Sequence, residues 1–457
     1  MSEILTSRQL ALDALGDRAG NVTAHLDRLL GRAASPAEAS LAWELALGVV
    51  RRRGTLDAVV KAFQKKPEMP APRLLNSLRL GLYQLLFLDR IPDFAAVNET
   101  VELCPPETRG FVNGMLRSVQ RSVSAVQHGQ AASARDVLET EPGQFRRFDR
   151  PIFANPSERP AAYLAEACSL PEELAYRWFK AFGGLAKVLA VARHANARPP
   201  LVLRVDTELI GVQTVLGQLA ALGVPAVAHA NGYSVVVSGP LELEKLPAFG
   251  QGHAHPQDAM ASSVIAACGD FLKPGMAALD LCAAPGTKTV QIARRLAGQG
   301  RIVAADVNPE KLARVQDNCR RCGIQIVQTV QAQELAGLEP ESFDFVLVDA
   351  PCTNTGVLAR RAEARWRFSR RSLEQAAFNQ RQLVFLGANF VRPGGTLVYS
   401  TCSLEREENS GIIEDLISRR RDLRLLHSRG ALPAGVQAPQ AWSDGGFYAI
   451  IEKRKPR

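Results

Sequence analysis

Apolar residues recur at spacings of three and four through roughly the first 125 residues, the period of helices that bury one face. Ser40–Val50 (SLAWELALGVV) and Leu74–Leu88 (LLNSLRLGLYQLLFL) carry the pattern most plainly. Proline punctuates it at Ser35-Pro36, between Pro67 and Pro72, at Pro92 and at Pro105-Pro106, so the reading is helix after helix. From 126 to 160 the periodicity fades into QHGQAASARD and then Pro142, Pro151, Pro156 and Pro160, which points to a linker. A helical stretch over Pro171–Ala192 follows. Extended runs at Leu201–Val205 and Tyr233–Val237 enclose a helix over Gly211–Leu222, a small α/β module ending near residue 250. From about 275 the period switches back and forth. Strands are predicted at Ala277–Leu281, Ile302–Ala305, Ile326–Val330, Phe343–Val348 and Thr396–Tyr399, with helices such as Lys288–Leu296 and Pro309–Arg321 between them. Such alternation builds a mostly parallel, doubly wound sheet whose ligands bind at the carboxyl ends of its strands. No repeat of solenoid period is visible.

A chain of 457 residues exceeds one ordinary hydrophobic core. The expected division is residues 1–140 (helical), 141–250 (linker and small α/β module) and 251–457 (doubly wound α/β). With 55 Lys+Arg against 46 Asp+Glu the net charge is +9, compatible with a polyanionic partner. Arg51-Arg52-Arg53 reads as a solvated helix end or as part of an RNA-docking face. No apolar run approaches the ~18–20 residues that span a bilayer, and MSEILTSRQLALDAL lacks the marks of a signal peptide, so a cytoplasmic protein without a membrane role is expected. The eight cysteines are then expected as free thiols. Cys319-x-x-Cys322 is half a zinc site at best, and a helix end at Gly323 explains it more simply; no metal is expected.

Chemistry gathers at the predicted strand ends. Leu281-Cys282-Ala283-Ala284-Pro285-Gly286-Thr287-Lys288-Thr289 follows the first strand, with small residues that admit a ligand close to the backbone and the free N–H groups of a helix start. It fits neither the P-loop nor the G-x-G-x-x-G spacing. Asp306 ends the second strand, where a carboxylate binds ribose hydroxyls or caps the next helix. The fourth strand runs into Asp349-Ala350-Pro351-Cys352-Thr353-Asn354-Thr355-Gly356, the fifth into Ser400-Thr401-Cys402-Ser403. Either cysteine alone reads as a buried packing thiol. Two at equivalent strand ends of one sheet read as chemistry.

LDLCAAPGTKT, DAPCTNTGV and STCSLEREEN resemble the motifs of the NOL/NOP/Sun family of RNA cytosine-C5 methyltransferases. Glu44–Asp57, Val97–Leu103 and Phe111–Arg117 (FVNGMLR) resemble the NusB-like domain of a bacterial branch that acts on 16S ribosomal RNA. The resemblance implies an all-α NusB-like RNA-binding domain, a small RRM-like α/β module and a Rossmann-like methyltransferase domain. It implies S-adenosylmethionine as cofactor, held by Cys282, Ala283, Ala284, Pro285, Gly286, Thr287, Lys288, Asp306, Gln333 and Asp349. Cys402 would be the nucleophile, Asp349 would bridge cofactor and target base, and Cys352 would help deprotonate or release the product. Thr287 stands where the family has a second Gly, Ala332-Gln333 where it commonly has Gly-Asp, and His255–Ser262 (HPQDAMAS) departs from the usual V-Q-D-x-A-S lead-in.

Two thiols suit this reaction. C5 of cytosine is a weak nucleophile until a thiolate adds at C6, and the adduct then has to lose a proton and expel the sulfur. A DNA cytosine-C5 methyltransferase would attack with the Pro-Cys thiol, here Cys352, but Cys402 in Thr-Cys-Ser and the helical amino-terminal region argue against it. A tRNA substrate, or a non-catalytic RNA-binding assembly factor with Gln333 as a mark of decay, is the remaining alternative.

Overall fold

The computed structural model describes residues 4–16 and 21–456. The chain divides into two compact units, Met1–Arg198 with Leu358–Ser369, and Pro199–Val357 with Arg370–Arg457.

The first unit opens with six helices: α1 (Ser7–Leu15), α2 (Val22–Leu29), α3 (Pro36–Phe63), α4 (Pro72–Phe87), α5 (Asp93–Glu102) and α6 (Pro106–Ser122). Prolines occupy the first turn of α3, α4 and α6, where a missing N–H costs nothing. Residues 126–160, where the sequence points to a linker, contain three antiparallel strands, β1 (Gln127–His128), β2 (Val137–Glu141) and β3 (Gln144–Arg147), in the order β1-β3-β2. Short alternating segments such as Val137–Glu141 are hard to see among prolines and small residues. Helices α7 (Pro160–Ala167), α8 (Glu172–Phe182) and α9 (Leu185–Asn196) complete the run. The single helix expected over Pro171–Ala192 is broken between the last two, where Gly183 and Gly184 both take positive φ.

The second unit begins with a βαββαβ module: β4 (Leu201–Val205), α10 (Val212–Ala221), β5 (Ala226–Ala228), β6 (Ser234–Val237), α11 (Pro247–Gly250) and β7 (Ala254–Pro256). Its antiparallel sheet has the order β5-β6-β4-β7, and the apolar faces of Leu203, Val205, Val235 and Val237 close on Val215 and Leu219 of α10. The remaining core is α12 (Ala259–Ala266), β8 (Ala277–Asp280), α13 (Thr287–Arg295), β9 (Arg301–Asp306), α14 (Pro309–Arg321), β10 (Val327–Gln331) and β11 (Phe343–Asp349). After α15 (Ala364–Arg367), which belongs to the first unit, come α16 (Arg370–Phe390), β12 (Val391–Thr401), α17 (Ser410–Arg419), β13 (Leu423–Ala431) and β14 (Gly446–Lys453). The sheet order is β10-β9-β8-β11-β12-β14-β13. Its first five strands are parallel, and β14 runs antiparallel to both neighbours. Strand order reverses between β8 and β11, which makes their carboxyl ends the switch point where such sheets bind ligands.

Arg51, Arg52 and Arg53 lie inside α3 rather than at its end, and Arg51 and Arg52 are only 9% and 7% exposed. The reading of this run as a solvated or RNA-facing end therefore fails for its first two members. They are occupied by the protein itself. Arg52 Nη2 donates to Thr140 O at 2.7 Å, and Arg51 Nη2 donates to Ala359 O at 3.2 Å. The segment Leu358–Ser369 packs here through Arg365, which is fully buried. Its guanidinium donates to Arg51 O (2.9 Å), Ser169 O (3.0 Å), Asn196 Oδ1 (2.8 Å) and Ala195 O (2.7 Å). Trp366 Nε1 donates to Val50 O at 2.7 Å. Burial, with Arg51 and Arg52 nearby, pushes Arg365 down to about 9, so it stays charged at neutral pH. Removing this donor strands several buried acceptors, and Arg365→Met should cost about 2–4 kcal/mol. Urea unfolding of the full chain checks it: the low-denaturant transition should shift down, and an unchanged midpoint would contradict the account.

Among the described residues no helix is long and apolar enough to cross a membrane. Nor, among them, is any group of three or more His, Cys, Asp or Glu placed to hold a metal ion. Cys319 and Cys322 lie at the end of α14, which stops at Gly323 with φ +64°.

Candidate active site

Parallel pairing sets the site. β8 pairs with both β9 and β11, and β11 pairs with β12 so that Val348 lies beside Tyr399 and Asp349 beside Ser400. The loops leaving β8, β9, β11 and β12 thus emerge along one edge.

The loop after β8 makes a sharp turn into α13. Gly286 closes it with φ +102°, donating to Ala283 O at 2.7 Å. A Cβ there would meet Val315 Cα at 3.1 Å as well as a strained backbone, so only glycine fits. Thr287 is the first residue of α13, and Gly286 has no side chain to cap the helix, so the first-turn N–H groups are left for a ligand. Below the loop lies Asp280, 1% exposed. It accepts from Thr289 Oγ1 at 2.7 Å. Burial pushes this carboxyl up to about 7; the Thr289 bond works against that, and the charge of Asp349 adds to it. Burial also raises the Cys282 thiol, helped by the negative charges of Asp280, Asp349 and Asp306.

Asp306 ends β9 opposite Gln331 of β10, and its Oδ1 accepts from Asn308 N at 3.0 Å. Asn308, not Asp306, caps α14, accepting from the Glu310 and Lys311 N–H groups. Gln333 is exposed in the short turn after β10.

Lys288, grouped by sequence with the cofactor loop, reaches across to Asp349: Nζ stands 2.7 Å from Oδ2. Ser400 Oγ donates to Asp349 Oδ1 at 2.6 Å. Burial weakens the Lys288 ammonium, but Asp349 outweighs it and the net shift is upward. The carboxylate is thus fixed from both sides.

Beyond Asp349 the two cysteines meet. Cys352 Sγ lies 3.0 Å from Cys402 Sγ, and both residues are half-buried. The hydrogen bond to Cys402 and then burial raise Cys352 well above the usual thiol range, with the charges of Cys402 and Glu408 adding to the effect. Asn354, at φ +62°, bonds both loops: its Nδ2 donates to Cys352 O at 2.8 Å and its Oδ1 lies 3.4 Å from Cys402 Sγ. Gly356 N donates to Cys402 O at 2.9 Å, and Leu404 N donates to Thr355 Oγ1 at 2.9 Å.

The structure brings Cys282–Lys288, Asp306, Asp349, Cys352 and Cys402 to one sheet edge and leaves Gln333 at its margin. Sequence reasoning missed Asn354, Ser400, Gln380 and Glu408. The last lies within the EREEN run that follows Cys402, but nothing in its spacing announced its burial.

Residues 271–450 match the family model of the 16S rRNA methyltransferases RsmB/F, and residues 5–121 match that of the NusB family. The ribosomal RNA small subunit methyltransferase B of Klebsiella pneumoniae subsp. pneumoniae is 31% identical, with all of both chains covered. That of Erwinia tasmaniensis is 32% identical over 91% of each chain. The crystal structure of PH0851 superposes with a TM-score of 0.73 at 23% identity, covering 99% of this chain and 100% of that one. NSun6 from Pyrococcus horikoshii, solved with SFG, superposes with a TM-score of 0.53 at 21% identity, covering 63% of this chain and 99% of that one. A helical NusB amino-terminal region, a mixed-sheet methyltransferase core and relatives of full length agree: the chain belongs to the ribosomal RNA small subunit methyltransferase B family.

Proposed function

We propose that this protein methylates C5 of a cytosine in 16S ribosomal RNA, from S-adenosylmethionine and through a covalent Cys402–C6 adduct. The observation that carries the reading is the pair of thiols 3.0 Å apart, above an Asp349 fixed by Lys288 and Ser400.

The cofactor fits the other half of the edge. The turn from Cys282 to Lys288, closed by Gly286 and followed by the uncapped start of α13, leaves backbone N–H groups that suit the cofactor's carboxylate. Asp306 suits ribose hydroxyls, and Gln333 can accept from an adenine amino group through its amide oxygen. S-adenosylmethionine, when bound, supplies an electrophilic methyl group.

The chain's own residues handle the base. The target cytosine has to leave its stack to be reached. Cys402 Sγ adds to C6, forming the S–C6 bond and moving the double-bond pair toward C5. Asp349, held by Lys288 and Ser400, accepts a hydrogen bond from the N4 amino group and so orients the base over the thiols. Once Cys402 is a thioether, its own hydrogen bond and charge no longer raise Cys352, so Cys352 gives up its proton to solvent more readily. It can then accept the proton from methylated C5. The C5–H electron pair re-forms C5=C6, the C6–S bond breaks, and Cys402 leaves as thiolate.

Incubation with labelled S-adenosylmethionine and 16S RNA, followed by nucleoside analysis, tests the reaction type. Label in 5-methylcytidine is expected; label at another atom or base would overturn it. Asp306→Ala should weaken cofactor binding by about 1.5–3 kcal/mol, roughly ten- to a hundredfold. Calorimetry showing unchanged affinity would remove Asp306 from the cofactor site.

A further inference from the structure

Glu408 is fully buried. A buried carboxylate is costly unless its oxygens are filled by donors, and here they are. Oε1 accepts from Thr353 N at 2.9 Å and from Gln380 Nε2 at 2.9 Å. Oε2 accepts from the Thr353 and Ser403 hydroxyls. Thr353 follows Cys352 and Ser403 follows Cys402, so one carboxylate grips the residue next to each thiol. Gln380 extends the grip: the same Nε2 also donates to Pro351 O at 2.9 Å, on the other side of Cys352. The main chain around Glu408 is itself held, with Tyr399 Oη donating to Glu408 O at 2.7 Å and Asn409 Nδ2 donating to Ser403 O at 2.9 Å.

The two loops belong to different strands, and β-pairing ends at Asp349–Ser400. Beyond that point the ladder no longer sets their separation. We propose that Glu408 is a positioning residue that locks the Cys352 and Cys402 loops together and so sets the distance between the two thiols. This deepens the two-cysteine reading above and rests on it for its catalytic consequence. Glu408 touches neither thiol. It acts through Thr353 and Ser403.

The amide of Glu408→Gln presents N–H groups where the carboxylate accepts, so at least one partner loses its acceptor while volume is kept. Glu408→Asp keeps the charge and shortens the reach. The readouts are thermal melting, calorimetry with S-adenosylmethionine, single-turnover adduct formation on 5-fluorocytosine RNA, and diamide-driven disulfide formation between Cys352 and Cys402 without RNA. The Gln variant is expected to fold and to bind the cofactor as wild type does, with KM for RNA little changed. Its adduct rate should fall about 100-fold, as a misplacement near 1 Å does. The diamide cross-link should slow by about tenfold, since it depends on the same proximity. Glu408→Asp should recover part of both rates. Wild-type rates of adduct formation and cross-linking in Glu408→Gln would overturn the proposal, as would a loss in KM or cofactor affinity alone. Should wild type trap no RNA, the covalent cytosine-C5 reading fails by itself. The cross-link comparison still decides whether Glu408 sets the thiol distance.

Discussion

Cys402→Ala is expected to leave a folded protein that binds S-adenosylmethionine with wild-type affinity, forms no covalent bond to RNA and transfers no methyl group. The cofactor loop, Asp306 and Asp349 do not depend on the Cys402 thiol: Asp349 is held by Lys288 and Ser400. On the proposed mechanism what disappears is the step that makes C5 reactive, so the loss should reach the detection limit rather than a few-fold decrease. Rate measurements on RNA with calorimetry on the cofactor separate the two effects. A Cys402→Ala protein that methylates at near wild-type rate would remove Cys402 from the mechanism.

Cys352→Ala should fail differently. On the proposed mechanism Cys402 remains to attack, but the thiol that would accept the C5 proton is missing, and release of the product depends on that proton leaving. A covalent protein–RNA species is therefore expected to accumulate with ordinary, unfluorinated cytosine RNA and S-adenosylmethionine, visible on denaturing gels. The double variant Cys352→Ala/Cys402→Ala should show none. The raised Cys352 thiol, held by its hydrogen bond to Cys402 and by burial, makes it the poorer first nucleophile and gives the asymmetry a physical basis. If the species builds up in Cys402→Ala and never in Cys352→Ala, the roles are reversed and the attack follows the DNA-type pattern.

Much of the site was legible because its chemistry sits where a periodic pattern stops. Phe343–Val348 and Thr396–Tyr399 are continuous apolar runs, and whatever follows such a run in a parallel sheet lies at the ligand edge. Cys352 and Cys402 could be placed there without knowing any distance. The strands β13 and β14 were not read, although Gly446–Lys453 is mostly apolar, because no helix separates them and the alternation rule looks for one. Arg51, Arg52 and Arg365 were misread or overlooked for a different reason. Charge is taken as a mark of solvent, and nothing in a one-dimensional pattern reveals that backbone carbonyls of Ser169, Ala195 and Thr140 will satisfy a guanidinium. Glu408 is a similar case: EREE looks like a solvated helix start, and only the folded loops bury Glu405 and Glu408.

The measurement that bears most directly on the central claim is peptide mapping of the protein trapped on 5-fluorocytosine RNA. Fluorine at C5 cannot leave as a proton does, so the adduct stalls with its sulfur still attached to C6. After nuclease and protease digestion, the account predicts a single modified peptide with the nucleotide on Cys402, and the Cys352 peptide unmodified. Modification on Cys352 with Cys402 free would contradict it.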